Sequence, residues 1–176
     1  QIWHYNGVSW QKDTTLEMSG YNDIIIQDIK GTGPTDMYAI GMANSLDDYR
    51  GIIAHYDGKI WKYLDITYLR VNFGFMYYDN PSTSYLLYAA NFDNLGTSER
   101  VYILKNKVLK ELWASDRALY PDKIADKVFL YGQKKIYSLN QSSLELFLDL
   151  SNTNFLGRVM GRTTKDFFCN TVSTLN

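Results

Sequence analysis

The chain has 176 residues, of which 45% are hydrophobic and 15% aromatic, and its formal net charge is −1. This composition supports one domain with a hydrophobic core and excludes a disordered chain, because disorder requires few apolar residues and a high net charge. Cys169 is the only cysteine, no run approaches the ~18 apolar residues of a membrane helix, and the near-neutral charge argues against nucleic acid as a partner.

The predicted elements are strands, and they begin at the amino-terminal end. Aromatic residues favour strands, and the chain has 15 Tyr, 8 Phe and 4 Trp. A hairpin is predicted around His4–Trp10, and the clearest stretch after it divides into four strands separated by turn-rich spacers. These strands are Ile24–Lys30, Met37–Met42, Gly51–Tyr56 and Lys59–Ile66. Further along, Val108–Ser115 fits either a helix or an alternating strand.

One motif, H-Y-[ND]-G-x-x-W, occurs twice at an interval of 51 residues. Its residues are His4, Asn6, Gly7 and Trp10 in the first copy and His55, Asp57, Gly58 and Trp61 in the second. Asn-Gly and Asp-Gly pairs between strands predict type I′ turns, which need a positive φ at both central residues. The Trp of each return strand is predicted to pack in the core. A weaker copy places Asn106 at the position of Gly58, 48 residues later.

A second motif, G-x-x-x-x-D followed by two large apolar residues, recurs out of phase with the first. It occurs at Gly31–Asp36 and at Gly161–Asp166, and both aspartates are expected to cap turns with their side chains. Four short strands in a period of ~48 residues are typical of a propeller blade. Sixteen strands are then predicted in five segments, which are the half blade 1–15, the blades 22–66, 67–115 and 119–150, and the half blade 155–176.

The combination of these motifs resembles the blade repeat of bacterial β-propeller proteins, many of which are exported. The resemblance covers almost the whole chain and is clearest in residues 1–64. It implies an all-β propeller of four-stranded antiparallel blades. It also implies an extracytoplasmic location, in the periplasm, on the cell surface or secreted, although no signal peptide is visible in this chain. The last copy departs from the pattern, with Cys169 and Asn170 where the first has Ala39 and Ile40.

About four blade equivalents leave two forms of the single domain open. The opening and closing half blades could complete each other, which would give a four-bladed ring. Alternatively, the chain is an open arc or a fragment of a larger propeller. Its exposed blade edges would then favour self-association with another copy of the chain.

One candidate ligand site lies in the predicted central channel. The first strand of each blade lines the channel of a propeller, and its side chains alternate. Alignment of Gly31 with Gly161 places Asp28 at the position of Arg158, a matching apolar register places Arg70 there as well, and Lys123 lies nearby in the degenerate blade. Such a ring could hold a small anion or a carboxylate-bearing ligand. The alternative is a network of ion pairs and water that satisfies itself at the axis.

A second candidate site is an aromatic surface. Tyr77, Tyr78, Tyr85 and Tyr120 lie in or near long connections that also carry Asn and Asp. Exposed tyrosines stack on sugar rings and anchor protein interfaces, so this surface could bind a carbohydrate or a protein. The alternative is that these tyrosines fill strands in a tyrosine-rich protein.

No residue set predicts catalysis, a metal or a cofactor. His4 and His55 are the only histidines and occupy equivalent repeat positions, so they are expected to pack in separate blades, bonded to turns. Cys169 lies in an apolar strand and is expected to be a small buried hydrophobe. Asp47 and Asp48 are expected to be solvated loop charges, and no phosphate-loop, zinc or nucleophile motif is present.

The predicted function is that of a non-catalytic binding or scaffold module that engages a carbohydrate or protein partner. The reason is that the repeated residues are turn formers and core aromatics, and no unique reactive set interrupts the repeat. An alternative is a carbohydrate-active enzyme similar to glycoside hydrolases, with two carboxylates ~5–10 Å apart on the channel face. A further alternative is an assembly module that completes its ring with another chain.

Overall fold

The computed structural model describes residues 2–13, 16–79, 84–93, 96–115, 119–124, 127–132, 134–140, 143–152, 155–163 and 166–171. Within these ranges the chain forms sixteen strands and no helix. The strands are β1 (Trp3–Tyr5), β2 (Trp10–Lys12), β3 (Asp23–Gly33), β4 (Asp36–Asn44), β5 (Tyr49–Tyr56), β6 (Trp61–Tyr63), β7 (Asn72–Asp79), β8 (Ser84–Asp93), β9 (Gly96–Lys105), β10 (Val108–Ser115), β11 (Tyr120–Ile124), β12 (Lys127–Gly132), β13 (Lys135–Asn140), β14 (Ser143–Asp149), β15 (Phe155–Thr163) and β16 (Asp166–Thr171).

The strands form antiparallel sheets in chain order. Three sheets have four strands each, β3–β6, β7–β10 and β11–β14, and two have two strands, β1–β2 and β15–β16. Each sheet lies within one of the five predicted repeat segments, and each four-stranded sheet has the strand order of a propeller blade. The predicted all-β fold of four-stranded antiparallel sheets is confirmed. Val108–Ser115 forms β10, so its interpretation as an alternating strand is also confirmed.

The chain divides into two compact units, residues 1–76 with 89–91 and residues 77–88 with 92–176. Each unit has its own hydrophobic core. The core of the first unit includes Ile2, Ala39, Ala54, Tyr56 and Trp61. The second unit has one cluster with Tyr88, Val101, Leu119, Val128 and Leu130, and another with Ile124, Phe129, Tyr131 and Ile136. In the first unit, Tyr38–Gly41 of β4 and Gly51–Ala54 of β5 are buried without interruption, which means that both faces of these inner strands are covered.

The repeated turn motifs form equivalent structures. Tyr5 pairs with Trp10, and Tyr56 pairs with Trp61 in the same register. The G-x-x-x-x-D motif is equally regular, since Gly31 pairs with Met37 next to a bulge, and Gly161 pairs with Phe167 next to a bulge at the corresponding place. Asp166 begins β16 as Asp36 begins β4, although its side chain lies outside the described residues. The two motifs therefore mark recurring backbone geometry.

The predicted type I′ geometry of the first two turns is wrong. Gly7 and Gly58 have φ of 95° and 92°, but the Asn and Asp before them do not have a positive φ. Asp57 Oδ1 instead accepts hydrogen bonds from the N–H groups of Lys59 and Ile60, both at 3.0 Å. Asn6 Oδ1 makes the two corresponding bonds in the first copy. The side-chain oxygen therefore organises a four-residue loop, and only the glycine needs the left-handed region.

The third copy differs from the first two. Lys105 pairs directly with Val108, which leaves a loop of two residues. Asn106 and Lys107 have φ of 50° and 64°, and a positive φ at both central positions is what a type I′ turn requires. Asn106 therefore has a positive φ, as Gly58 has at the aligned position.

The two motif tryptophans have different environments. Trp61 is 6% exposed, and its Nε1 donates a hydrogen bond to Asp13 Oδ2 at 3.1 Å. Trp10 is 68% exposed, so the prediction that it packs in the core is wrong. The reason is that β1–β2 has only two strands in the described part of the chain, and a pair of strands covers little apolar surface.

Asp36 and His55 tie the β3–β4 turn to the neighbouring strand β5. Asp36 Oδ1 lies 2.8 Å from His55 Nε2, and its Oδ2 accepts a hydrogen bond from the Thr32 hydroxyl at 2.6 Å. His55 is thus bonded to the turn, and its side chain is 12% exposed, while Asp36 makes these bonds with side-chain partners and its capping of the turn stays a prediction. His4 occupies the equivalent position in β1 and is exposed there.

Candidate functional site

A polar and aromatic cluster lies at one end of the sheet β3–β6. Its residues are Tyr21, Asp48, Tyr49, Arg50, Tyr68 and Arg70, and we refer to this group as the Asp48 cluster. The loop between β4 and β5 fixes its backbone, because Ser45 Oγ donates to the Asp48 carbonyl at 3.0 Å and accepts from the Asp48 N–H at 3.1 Å. The aspartate is therefore held in a defined position at the end of the sheet.

Two phenols bind the carboxylate of Asp48. The Tyr68 hydroxyl donates to Oδ1 at 2.5 Å, and the Tyr21 hydroxyl donates to Oδ2 at 3.1 Å. Arg70 Nε lies 3.9 Å from Oδ1, so this ion pair is looser than either hydrogen bond. Asp48 lies in a loop with its side chain 39% exposed, as a solvated loop charge would, but its carboxylate also accepts the two phenol hydrogen bonds. The segment before β7 returns to the sheet, where the Gly51 N–H donates to the Leu69 carbonyl at 2.9 Å, and this brings Tyr68 to Asp48.

The two arginines of the cluster lie over tyrosine rings. Arg50 Cζ is 5.5 Å from the centre of the Tyr68 ring, and Arg70 Cζ is 5.2 Å from that of Tyr49. Arg50 Nε is buried and has no hydrogen-bond partner among the described residues. A guanidinium stacked on a ring keeps its in-plane N–H groups for other acceptors. The cluster therefore presents two cations together with aromatic surface.

The protonation states in the cluster are fixed at neutral pH. The hydrogen bond from Tyr68 lowers the pKa of Asp48, and the same bond raises the pKa of Tyr68 to about 12. Burial, followed by the hydrogen bond to Asp48, raises the pKa of Tyr21. The carboxylate therefore stays ionised and both phenols keep their protons. Such groups suit ligand binding better than proton transfer, which needs a pKa near the working pH.

The cluster is open to solvent and adjoins a cleft. Tyr68 is 49% exposed, and the side chain of Arg70 is 52% exposed. Tyr21 also lines a cleft of about 730 Å³ between the segment 16–22 and β3, a volume within the ~300–1,000 Å³ of small-ligand sites. A ligand from solvent can therefore reach the Tyr68 ring and the Arg70 guanidinium group, whereas the cleft itself is lined by Tyr21 and by the carboxylates of Glu17 and Asp23.

The predicted channel ring receives only partial support. Asp28 lies on β3 as predicted, but its carboxylate bonds to Lys30 Nζ at 2.9 Å and to the Met76 N–H at 3.1 Å. Arg70 lies before the start of β7, so its predicted place on the first strand of a sheet is wrong. The Val71 N–H donates to the Leu69 carbonyl at 3.0 Å, which keeps this short segment turned and out of the strand. Asp28 and Arg70 thus have different partners.

The other two channel candidates belong to the second unit. Lys123 is exposed on β11, and its N–H donates to the side chain of Asp122. Arg158 lies on β15, and its side chain is outside the described residues. A ring of all four residues stays a prediction.

The tyrosines of the predicted aromatic surface also lie in different environments. Tyr120 is 53% exposed, with its ring 5.8 Å from that of Tyr131. Tyr77 is half-buried, packs against the core and donates a hydrogen bond to the Pro121 carbonyl at 3.2 Å, so its predicted place on an exposed surface is wrong. Tyr78 is half-buried, and the side chain of Tyr85 lies outside the described residues. Strand β7 extends to Asp79, and this includes both Tyr77 and Tyr78 in the sheet.

Known proteins provide no assignment of the chain. Comparison with protein-family models, curated proteins and solved structures gives no match. Within the described ranges there is no group of three or more His, Cys, Asp or Glu that could hold a metal ion. The same ranges contain no helix of the length and apolarity needed to span a membrane.

Proposed function

We propose that the chain is a non-catalytic binding module that engages a carbohydrate through the Asp48 cluster. The observation that carries this proposal is the exposed ring of Tyr68, which bonds to the fixed carboxylate of Asp48 next to guanidinium groups that lie over tyrosine rings. Tyrosine rings offer flat apolar faces to the C–H faces of sugars, and the charged groups offer hydrogen bonds to hydroxyl groups. An extracytoplasmic location, as part of an exported bacterial protein, belongs to the same proposal and is supported by the resemblance of the repeat motifs.

Isothermal titration calorimetry with a panel of neutral and acidic oligosaccharides tests this proposal. We expect at least one oligosaccharide to bind and Tyr68→Ala to weaken its binding by about tenfold or more. Tyr120→Ala is a matched control, because Tyr120 is exposed to a similar degree on β11, at 53% against 49%. Circular dichroism confirms that both variants fold. Binding that depends on Tyr120 and not on Tyr68, or no binding at all, would contradict the proposal.

A second candidate function is assembly with another copy of the chain. The observation that favours it is the exposure of Trp3, Tyr5 and Trp10 on the β1–β2 hairpin, at 54%, 50% and 68%. The equivalent residues of the four-stranded sheet, Tyr56 and Trp61, are buried. An exposed apolar hairpin is a typical place for strand pairing between molecules.

A further inference from the structure

We propose that Arg50 and Arg70 make the Asp48 cluster selective for sugars that carry a carboxylate, which are uronic acids. This inference rests on the proposed binding function and specifies its ligand class. It starts from the charges around Asp48: Arg70 Nε lies 3.9 Å from the Asp48 carboxylate, and Arg50 lies over the ring of Tyr68, whose hydroxyl donates to the same carboxylate. The neighbouring Asp47 is exposed, so water screens its charge.

The carboxylate of Asp48 does not satisfy the hydrogen-bond donors of Arg50 and Arg70. The short hydrogen bonds of Asp48 come from the Tyr68 and Tyr21 hydroxyls, at 2.5 and 3.1 Å, whereas Arg70 Nε is 3.9 Å away. Arg50 Nε is buried without a hydrogen-bond partner among the described residues. A buried donor without an acceptor costs free energy. The neutral phenols thus make the short hydrogen bonds to Asp48, and the half-exposed guanidinium group of Arg70 is accessible to a second carboxylate from solvent.

The shape of the ligand follows from the shape of the donors. A guanidinium presents two parallel N–H groups, which match the two oxygens of a carboxylate. Arg50 and Arg70 each already lie over a tyrosine ring, so less side-chain freedom is lost when a ligand binds. Half-exposed Tyr68 lies in the same cluster and offers a ring face to the sugar. A carboxylate attached to a pyranose ring combines both requirements.

The test compares trigalacturonate with its methyl ester, which has the same sugar rings and no charge. We expect wild-type protein to bind the acid at least about tenfold more tightly than the ester in calorimetry, because charged hydrogen bonds exceed neutral ones. This preference should fall as the salt concentration rises, since Arg70 is half exposed. Arg70→Gln should remove the preference by weakening the acid and leaving the ester unchanged.

Arg100→Gln is the matched control, because Arg100 bonds to Glu111 in the other unit and has a partly exposed side chain. We expect this variant to keep the full preference for the acid. Equal binding of acid and ester by wild-type protein overturns this inference and leaves the carbohydrate-binding proposal intact. Failure of the whole oligosaccharide panel overturns both. A preference that Arg70→Gln retains, or that Arg100→Gln removes, overturns the assignment to this cluster.

Discussion

At the scale of single residues, the hydrogen bond between Tyr68 and Asp48 couples the cluster to pH. This bond raises the pKa of Tyr68 from 10.0 to about 12, so the protonated phenol stabilises the folded state. The contribution is complete below the ordinary tyrosine pKa and is lost as the pH rises through the folded value. We therefore predict that the cluster holds until strongly alkaline pH and then opens.

Phenolate absorbance, taken as the difference between wild type and Tyr68→Phe, measures this ionisation. The difference curve should have its midpoint near pH 12, the raised pKa of Tyr68. Asp48→Asn should move the midpoint toward 10, because the amide removes the charge that holds the proton. A wild-type midpoint already at 10 would mean that the hydrogen bond does not form in solution.

The same scale shows why the cluster could not be predicted from the sequence. Tyr21 lies 27 residues from Asp48 and Tyr68 lies 20 residues from it, so no local motif joins them. Their meeting depends on the path of the segment 64–71, which alternates apolar and polar residues as a strand does but lies between β6 and β7. The only sequence signal is the closeness of Tyr and Arg, which are adjacent at Tyr49–Arg50 and two residues apart in Tyr68–Arg70. Interleaved pairs of this kind could have suggested stacking.

At the scale of elements, the β5–β6 and β1–β2 hairpins carry one motif in two environments. Because Trp61 fills the core of the first unit, Trp61→Ala should cost about 3–5 kcal/mol of unfolding free energy. Trp10→Ala should cost less than about 1 kcal/mol, because that ring is largely in solvent. Urea denaturation of the two variants measures both values. Similar losses would show that both rings are buried in solution.

The positions of the strands could be predicted from the sequence better than the contacts between side chains. Turn residues and the repeated aromatic positions placed the strands, because glycine and the Asx side chain determine where each hairpin reverses. The loop type was missed at Asn6 and Asp57, since the dipeptide is compatible with both a two-residue and a four-residue connection. The pairing around the loop, Tyr56 with Trp61, depends on this difference. Sequence alone therefore gives the position of a turn better than its geometry.

At the scale of the whole molecule, the exposed hairpin predicts concentration-dependent association. Light scattering should show the mass rising from 20.4 kDa toward twice that value as protein concentration increases. The double variant Trp3→Ser, Trp10→Ser should stay at the lower mass, because it removes the exposed apolar surface of β1–β2. Tyr120→Ser, which changes an exposed ring on β11, should associate like wild type. A wild-type protein that keeps one mass at every concentration would exclude the assembly role.

The hydrogen bond from the Met76 N–H to Asp28 Oδ2 bears on how arrays of this repeat could be engineered. A designer who copies residues 22–66 end to end would cut the chain before Met76, whose N–H group donates the hydrogen bond to Asp28. Each duplicated module would then need a substitute donor from whatever follows it. The donor is a backbone N–H group, so the first strand of the next copy can supply it if that strand takes the place of β7.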